Sequence, residues 1–128
     1  MKNKIVIDAS AILALLQMEK GHEKVAERLD DAVISSVNFS EVITVLARNG
    51  FGTQEVVKSL QNTFLHIVEF DARQAIVAAS FDKVTKKHGL SLGDRACLAL
   101  AKCKGLPVLT ADRAWEKVDL GVKVRVVR

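Results

Sequence analysis

The chain has 128 residues, 49% of them hydrophobic, with one proline and a formal net charge of +4. That is enough apolar chain for one domain, spanning residues 1–128, to fold without disulfides or a structural metal, and it excludes a disordered or linker-rich protein. The positive charge permits a polyanionic partner without arguing for one, because Arg48, Lys86, Lys87, Lys102 and Lys104 precede glycines at helix ends, where cations suit the helix dipole.

Met1-Lys2-Asn3-Lys4 and the apolar stretch from Ile5 to Leu16 have the outline of a secretory signal. Asp8 interrupts that stretch and no small-residue cleavage site follows. No segment approaches the roughly 18 apolar residues of a membrane span. A soluble, cytoplasmic protein with no membrane contact is expected.

Ile5 to Asp8 reads as the first strand, followed by a helix from Ala11 to Gln17. His22 to Leu29 places Val25, Ala26 and Leu29 on one helical face, and Ala32 to Ser35 is the second strand. Helices from Phe39 to Arg48 and from Thr53 to Phe64 are separated by the turn Asn49-Gly50-Phe51-Gly52. A strand from His66 to Phe70 leads into one long helix, Ala72 to His88, which stops at Gly89. Leu92 to Lys104 is the next helix, stopped by Gly105. It carries Cys97 and Cys103, which rise about 9 Å apart along the axis and face different ways, so they are not expected to pair. The chain has no Cys-x-x-Cys or zinc spacing, and reduced thiols fit a cytoplasmic protein. Pro107 to Thr110 is a strand, Asp112 to Lys117 a short helix and Val122 to Val127 the last strand.

Short β-branched strands alternating with helices predict an α/β fold with a mainly parallel sheet covered on both faces. Ligands in such folds bind at the carboxyl ends of the strands. Asp8 and Asp112 stand at two such ends, and Glu41 and Asp94 fall in the first turns of two predicted helices. Each acid has a structural explanation. Glu41 follows Asn38 by three, and Asp94 follows Ser91 by three, the spacing of a capping box. Asp8 and Asp112 can cap the helices that follow them. Their conjunction has a chemical one. Two carboxylates about 5 Å apart repel by roughly 3 kcal/mol at an effective dielectric of 20. A divalent cation removes that cost, and oxygen ligands suit Mg2+ or Mn2+.

Other chemistries have little to stand on. His22, His66 and His88 are scattered, and neither Ser10 nor the cysteines have a candidate base nearby in sequence. Gly50-Phe51-Gly52 lacks the length and lysine of a phosphate loop. There is no tyrosine, and the aromatics are not interleaved with basic residues as in a base-stacking platform. An aspartyl-phosphate phosphatase would want an acid two residues after Asp8, where Ser10 stands.

Three segments resemble a known family: Ile5-Val6-Ile7-Asp8-Ala9-Ser10-Ala11, Ser36-Val37-Asn38-Phe39-Ser40-Glu41-Val42, and Leu90 to Ala101 with Leu109-Thr110-Ala111-Asp112-Arg113-Ala114-Trp115. In this order they look like a PIN domain, specifically the VapC-like toxin ribonuclease of a type II toxin–antitoxin pair. The resemblance implies a PIN-like three-layer α/β/α sandwich and an Mg2+- or Mn2+-dependent endoribonuclease. It makes Asp8, Glu41, Asp94 and Asp112 the catalytic set, with Asp8 and Asp94 as metal ligands. Asp112 would complete the acidic pocket or serve a second ion, and Glu41 would orient a water or ligate through one. Ser10 and Thr110 match hydroxyl positions beside the acids. Arg95 and Arg113 stand where they can contact phosphate, or lie as surface arginines on a first helical turn.

The family also implies an RNA substrate, a VapB-like antitoxin whose basic tail occupies the pocket, and a homodimer with Phe51 and Phe64 as candidate interface residues. The competing reading is a non-catalytic RNA- or partner-binding module in which the acids serve only as caps.

Overall fold

Five short runs of β-branched and apolar residues form the strands β1 (Ile5–Ile7), β2 (Ala32–Ser35), β3 (His66–Val68), β4 (Val108–Thr110) and β5 (Val124–Val126). The structure is a computed structural model and describes residues 3–63 and 66–128. The strands make one sheet in the order β3-β2-β1-β4-β5. Every pairing is parallel, with Val6 opposite Val33 on one side and Val108 on the other.

Among the described residues seven α-helices cover the sheet: α1 (Ala9–Leu16), α2 (His22–Arg28), α3 (Ser36–Arg48), α4 (Thr53–Gln61), α5 (Ala72–Ser80), α6 (Asp82–Lys86) and α7 (Leu92–Lys104). Side chains alternate across a strand, so each strand feeds two cores. Ile5, Ile7 and Ile34 pack on one face with Ile12, Val25, Val42, Leu46, Val56 and Leu60 from α1 to α4. Val6, Val33 and Val108 pack on the other with Ala78, Phe81, Trp115 and the Cys97–Ala101 stretch of α7. The architecture is the expected three-layer α/β/α sandwich. The sheet is more regular than expected, parallel throughout.

Topology decides where a ligand can sit. From β1 the chain steps outward through β2 to β3, and α5 to α7 then carry it back to β4, on the other side of β1. The direction of winding reverses between β1 and β4, which opens a crevice at their carboxyl ends. Asp8 follows β1 and Thr110 ends β4, so both border that crevice.

Several boundaries differ from expectation. The helix expected from Phe39 begins at Ser36, because Ser35 ends β2 and caps α3 by accepting from the Val37 amide at 3.2 Å. Asn38 therefore lies inside the helix and forms no capping box with Glu41. The single helix expected from Ala72 to His88 is two, broken at Phe81, a buried residue of the second core. The helix expected to reach Phe64 ends at Gln61, and Phe64 lies outside the described residues. The segment after Asp112 is a 3-10 helix, Arg113–Lys117. Cys97 is buried, Cys103 is half-buried, and both are free thiols. Among the described residues no helix is long and apolar enough to cross a membrane.

Candidate active site

Asp8 closes β1 and opens α1, accepting from the Ala11 amide at 2.9 Å as the helix cap. The Ser10 hydroxyl lies 2.9 and 2.8 Å from its two oxygens, and the Thr110 hydroxyl reaches across from β4 to Oδ2 at 2.6 Å. The Ala111 amide donates to Ser10 Oγ at 3.0 Å, and the Asp112 amide donates to Thr110 Oγ1 at 3.1 Å. A hydroxyl has a single proton. With a lone pair of each oxygen taken by a backbone amide, both protons point at Asp8. Its carboxylate is fixed by three donors, two from α1 and one, Thr110, from across the crevice.

Those donors do not offset its burial. Asp8 is 4% exposed, and loss of water pushes its carboxyl up to about 6. The bonds from Thr110, Ala11 and Ser10 oppose the shift, and the nearby charge of Asp94 adds to it. Asp94 is raised too, first by burial and then by Asp112, against its bonds to Ser91. Asp94 sits in the first turn of α7 in the predicted capping box: its amide donates to Ser91 Oγ, and its carboxylate accepts from the Ser91 amide at 2.9 Å. Asp112 caps its 3-10 helix through the Ala114 amide at 2.9 Å.

Glu41 comes from α3. The Asn38 side-chain nitrogen donates to Glu41 Oε1 at 2.7 Å and to the Gly93 carbonyl at 3.0 Å. The Glu41 carboxyl group lies so close over Gly93 that a side chain there would collide with it, the added carbon only 2.7 Å from Glu41 Cδ. The buried Cys97 thiol, one helical turn after Gly93, feels Asp8, Asp94 and Glu41 together; burial and then those charges raise its pKa well above the usual range. It stays protonated. The four sequence-predicted acids are thus gathered at one edge of the sheet, around the first turn of α7.

Ser10 and Thr110 stand where the motif places them, beside Asp8. Arg95 donates from Nη1 to the Ala78 carbonyl at 3.3 Å, tying α7 to α5, while Arg113 is exposed. Sequence reasoning missed Asn38 and Gly93. The available signal was Asn38 three residues before Glu41, on the same helical face.

The PIN domain family profile matches residues 5–120. The chain belongs to the PIN domain family. No curated protein matches it by sequence. Solved structures share its fold at low identity. A toxin–antitoxin complex from Klebsiella pneumoniae superposes with a TM-score of 0.75 at 18% identity, covering 98% of each chain. DNA-bound VapBC from Salmonella typhimurium gives 0.73 at 19%, again covering 98% of both chains. VapC20 from Mycobacterium tuberculosis, a sarcin-ricin loop cleaving toxin, gives 0.72 at 17%, covering 88% of this chain and 93% of that one.

PIN domains are typically metal-dependent nucleases. The side chains present in this PIN domain fit such a metal. The four acids are all hard oxygen donors, and the mutual repulsion of Asp8, Asp94 and Asp112 is what a divalent cation relieves. Among the described residues no three acidic, histidine or cysteine side chains converge tightly enough to hold an ion alone.

Proposed function

We propose that this PIN domain, acting as one unit over the whole chain, is a divalent-metal-dependent endoribonuclease and the toxin of a VapBC-type toxin–antitoxin pair. The observation that carries the reading is the acidic edge itself: Asp8, raised to about 6, buried beside Asp94 at the β1–β4 crevice. A fold keeps two such charges together for a cation.

Asp8 and Asp94 would hold Mg2+ or Mn2+. When bound, the ion lowers the pKa of a coordinated water and neutralises charge on the scissile phosphate. The chain's residues do the rest. Ser10, Thr110 and the Ala11 amide keep Asp8 in one orientation. The Ser91 cap fixes where Asp94 projects. Glu41 orients the attacking water, and Asp112 closes the acidic pocket beside Asp94. Histidine has no part in this chemistry.

The substrate is cytoplasmic RNA. The partner is a small antitoxin whose basic tail enters the acidic edge, supported by the toxin–antitoxin complexes among the structural neighbours. The toxin forms a homodimer to which Phe51, 57% exposed at the turn between α3 and α4, contributes. A solution mass matching the single 14.0 kDa chain by light scattering would overturn the dimer.

Purified protein should cleave RNA with Mg2+ or Mn2+, stop in chelator, and arrest growth when expressed alone in bacteria. Asp94→Asn should lose both activities. Chelator-resistant cleavage, or an active Asp94→Asn protein, would sink the assignment.

A further inference from the structure

Asn38 occupies a position where an apolar residue would pack with least difficulty. It lies in the first turn of α3 and is 1% exposed. Its side-chain nitrogen faces two acceptors, Glu41 Oε1 and the Gly93 carbonyl, so the orientation of the amide is dictated by its neighbours. The amide oxygen is buried without a protein partner. An orphaned buried oxygen is unfavourable, and a leucine or valine filling the same space would leave none. What the position supplies, and an apolar residue cannot, is the pair of N–H bonds. One holds a carboxylate and the other holds the helix that carries Asp94.

Gly93 completes the arrangement from the other side. Any side chain there would drive out the Glu41 carboxylate. Donor on one side and cleared space on the other fix a side chain that otherwise samples several rotamers.

We propose that Asn38 is a positioning residue: it pins the Glu41 carboxylate against the first turn of α7, in the space left by Gly93. This rests on the ribonuclease reading, in which Glu41 orients the attacking water. Misplacing a catalytic group by about 1 Å can cost on the order of a hundredfold in rate. Asn38→Ala should therefore lower kcat by about ten- to a hundredfold and leave KM for RNA within about twofold.

A double-mutant cycle tests whether Asn38 acts through Glu41. Asn38→Ala with Glu41→Ala should cleave RNA no more slowly than Glu41→Ala alone. Losses that multiply overturn the proposal, as does an Asn38→Ala protein with wild-type kcat. If Asn38→Ala fails to fold, Gly93→Ala decides: alanine suits a helix, so the fold should persist while kcat falls similarly. Unchanged kcat in Gly93→Ala overturns the proposal.

A metal-free readout separates this from the ribonuclease reading. In NMR spectra of the metal-free protein, one Asn38 side-chain amide proton should move upfield and exchange faster in Glu41→Ala. An unmoved resonance overturns the pinning. A wild-type protein that leaves RNA intact while this shift occurs refutes the ribonuclease reading alone.

Discussion

At Asp8, burial and function pull in opposite directions, and pH separates them. Its carboxyl moves from 3.8 in the unfolded chain to about 6 in the folded one, so the folded state binds the proton more tightly. The associated stability is fully present below 3.8, declines between 3.8 and about 6, and is gone above that. A rise of this size, at about 1.36 kcal/mol for each pH unit, makes the ionised carboxylate a liability of about 3 kcal/mol at neutral pH. Asp8→Asn removes the charge at the cost of one reversed bond: Oδ1 still accepts from Ala11 and Ser10, while the new amide donates to Thr110 Oγ1, whose own proton loses its acceptor. In chelator at pH 7.5 the variant should melt on the order of 10 °C higher than wild type, and near pH 4 the gain should vanish. Mg2+ or Mn2+ should raise the wild-type Tm and leave that of Asp8→Asn unchanged. Calorimetry across pH checks all three, and a variant less stable than wild type at pH 7.5 would refute the burial argument.

Among the elements, α7 shows how capping and chemistry coexist. Ser91 and Asp94 close a capping box at its start, and Gly105, left-handed at φ 66°, ends it. Both signals are written in residue types with strong positional meaning, so this helix was legible to the residue from sequence. Where such punctuation is missing, legibility fails. No glycine or proline marks the break at Phe81, whose side chain packs against the α7 face of the core, so helical periodicity reads straight through it. The start of α3 was misplaced because Ser35 serves as both strand end and cap, with no turn residue between. That error hid Asn38, which as a cap has no reason to be buried. The capping box also permits a separation of roles. Ser91→Ala removes the acceptor for the Asp94 amide and should cost about 1 kcal/mol of stability. The Asp94 carboxylate keeps its bond from the Ser91 amide, so cleavage should fall less than tenfold. Denaturant melts and initial rates measure the two effects, and loss as severe as that of Asp94→Asn would mean the serine hydroxyl itself belongs to the chemistry.

Taken whole, the molecule sets the four acids of the site and a cluster of basic residues at opposite ends of the sheet. The four acids gather at the carboxyl ends of the strands, while Lys4, Arg28 and Arg125, with Asp31 beside Arg28, line a cleft of about 530 Å3 at the other edge, beside the start of β1. The net charge of +4 therefore says nothing about the sign of charge at either edge. Sequence can count charges, but only the winding order β3-β2-β1-β4-β5 determines which edge receives them. Phosphodiester approaching the crevice meets its own sign of charge. If cleavage takes place there, the cation has to neutralise the edge before substrate can settle, and removing one carboxylate should achieve part of the same effect. Asp94→Asn, inert as a nuclease, should then bind RNA more tightly than wild type in chelator, and Mg2+ should help the variant less than the native protein. Fluorescence anisotropy with a labelled RNA, at one fixed salt concentration because phosphate binding depends steeply on salt, reads both affinities. Equal affinity for the two proteins in chelator would place the bound RNA away from the acidic edge, and the basic cleft would become the surface to test.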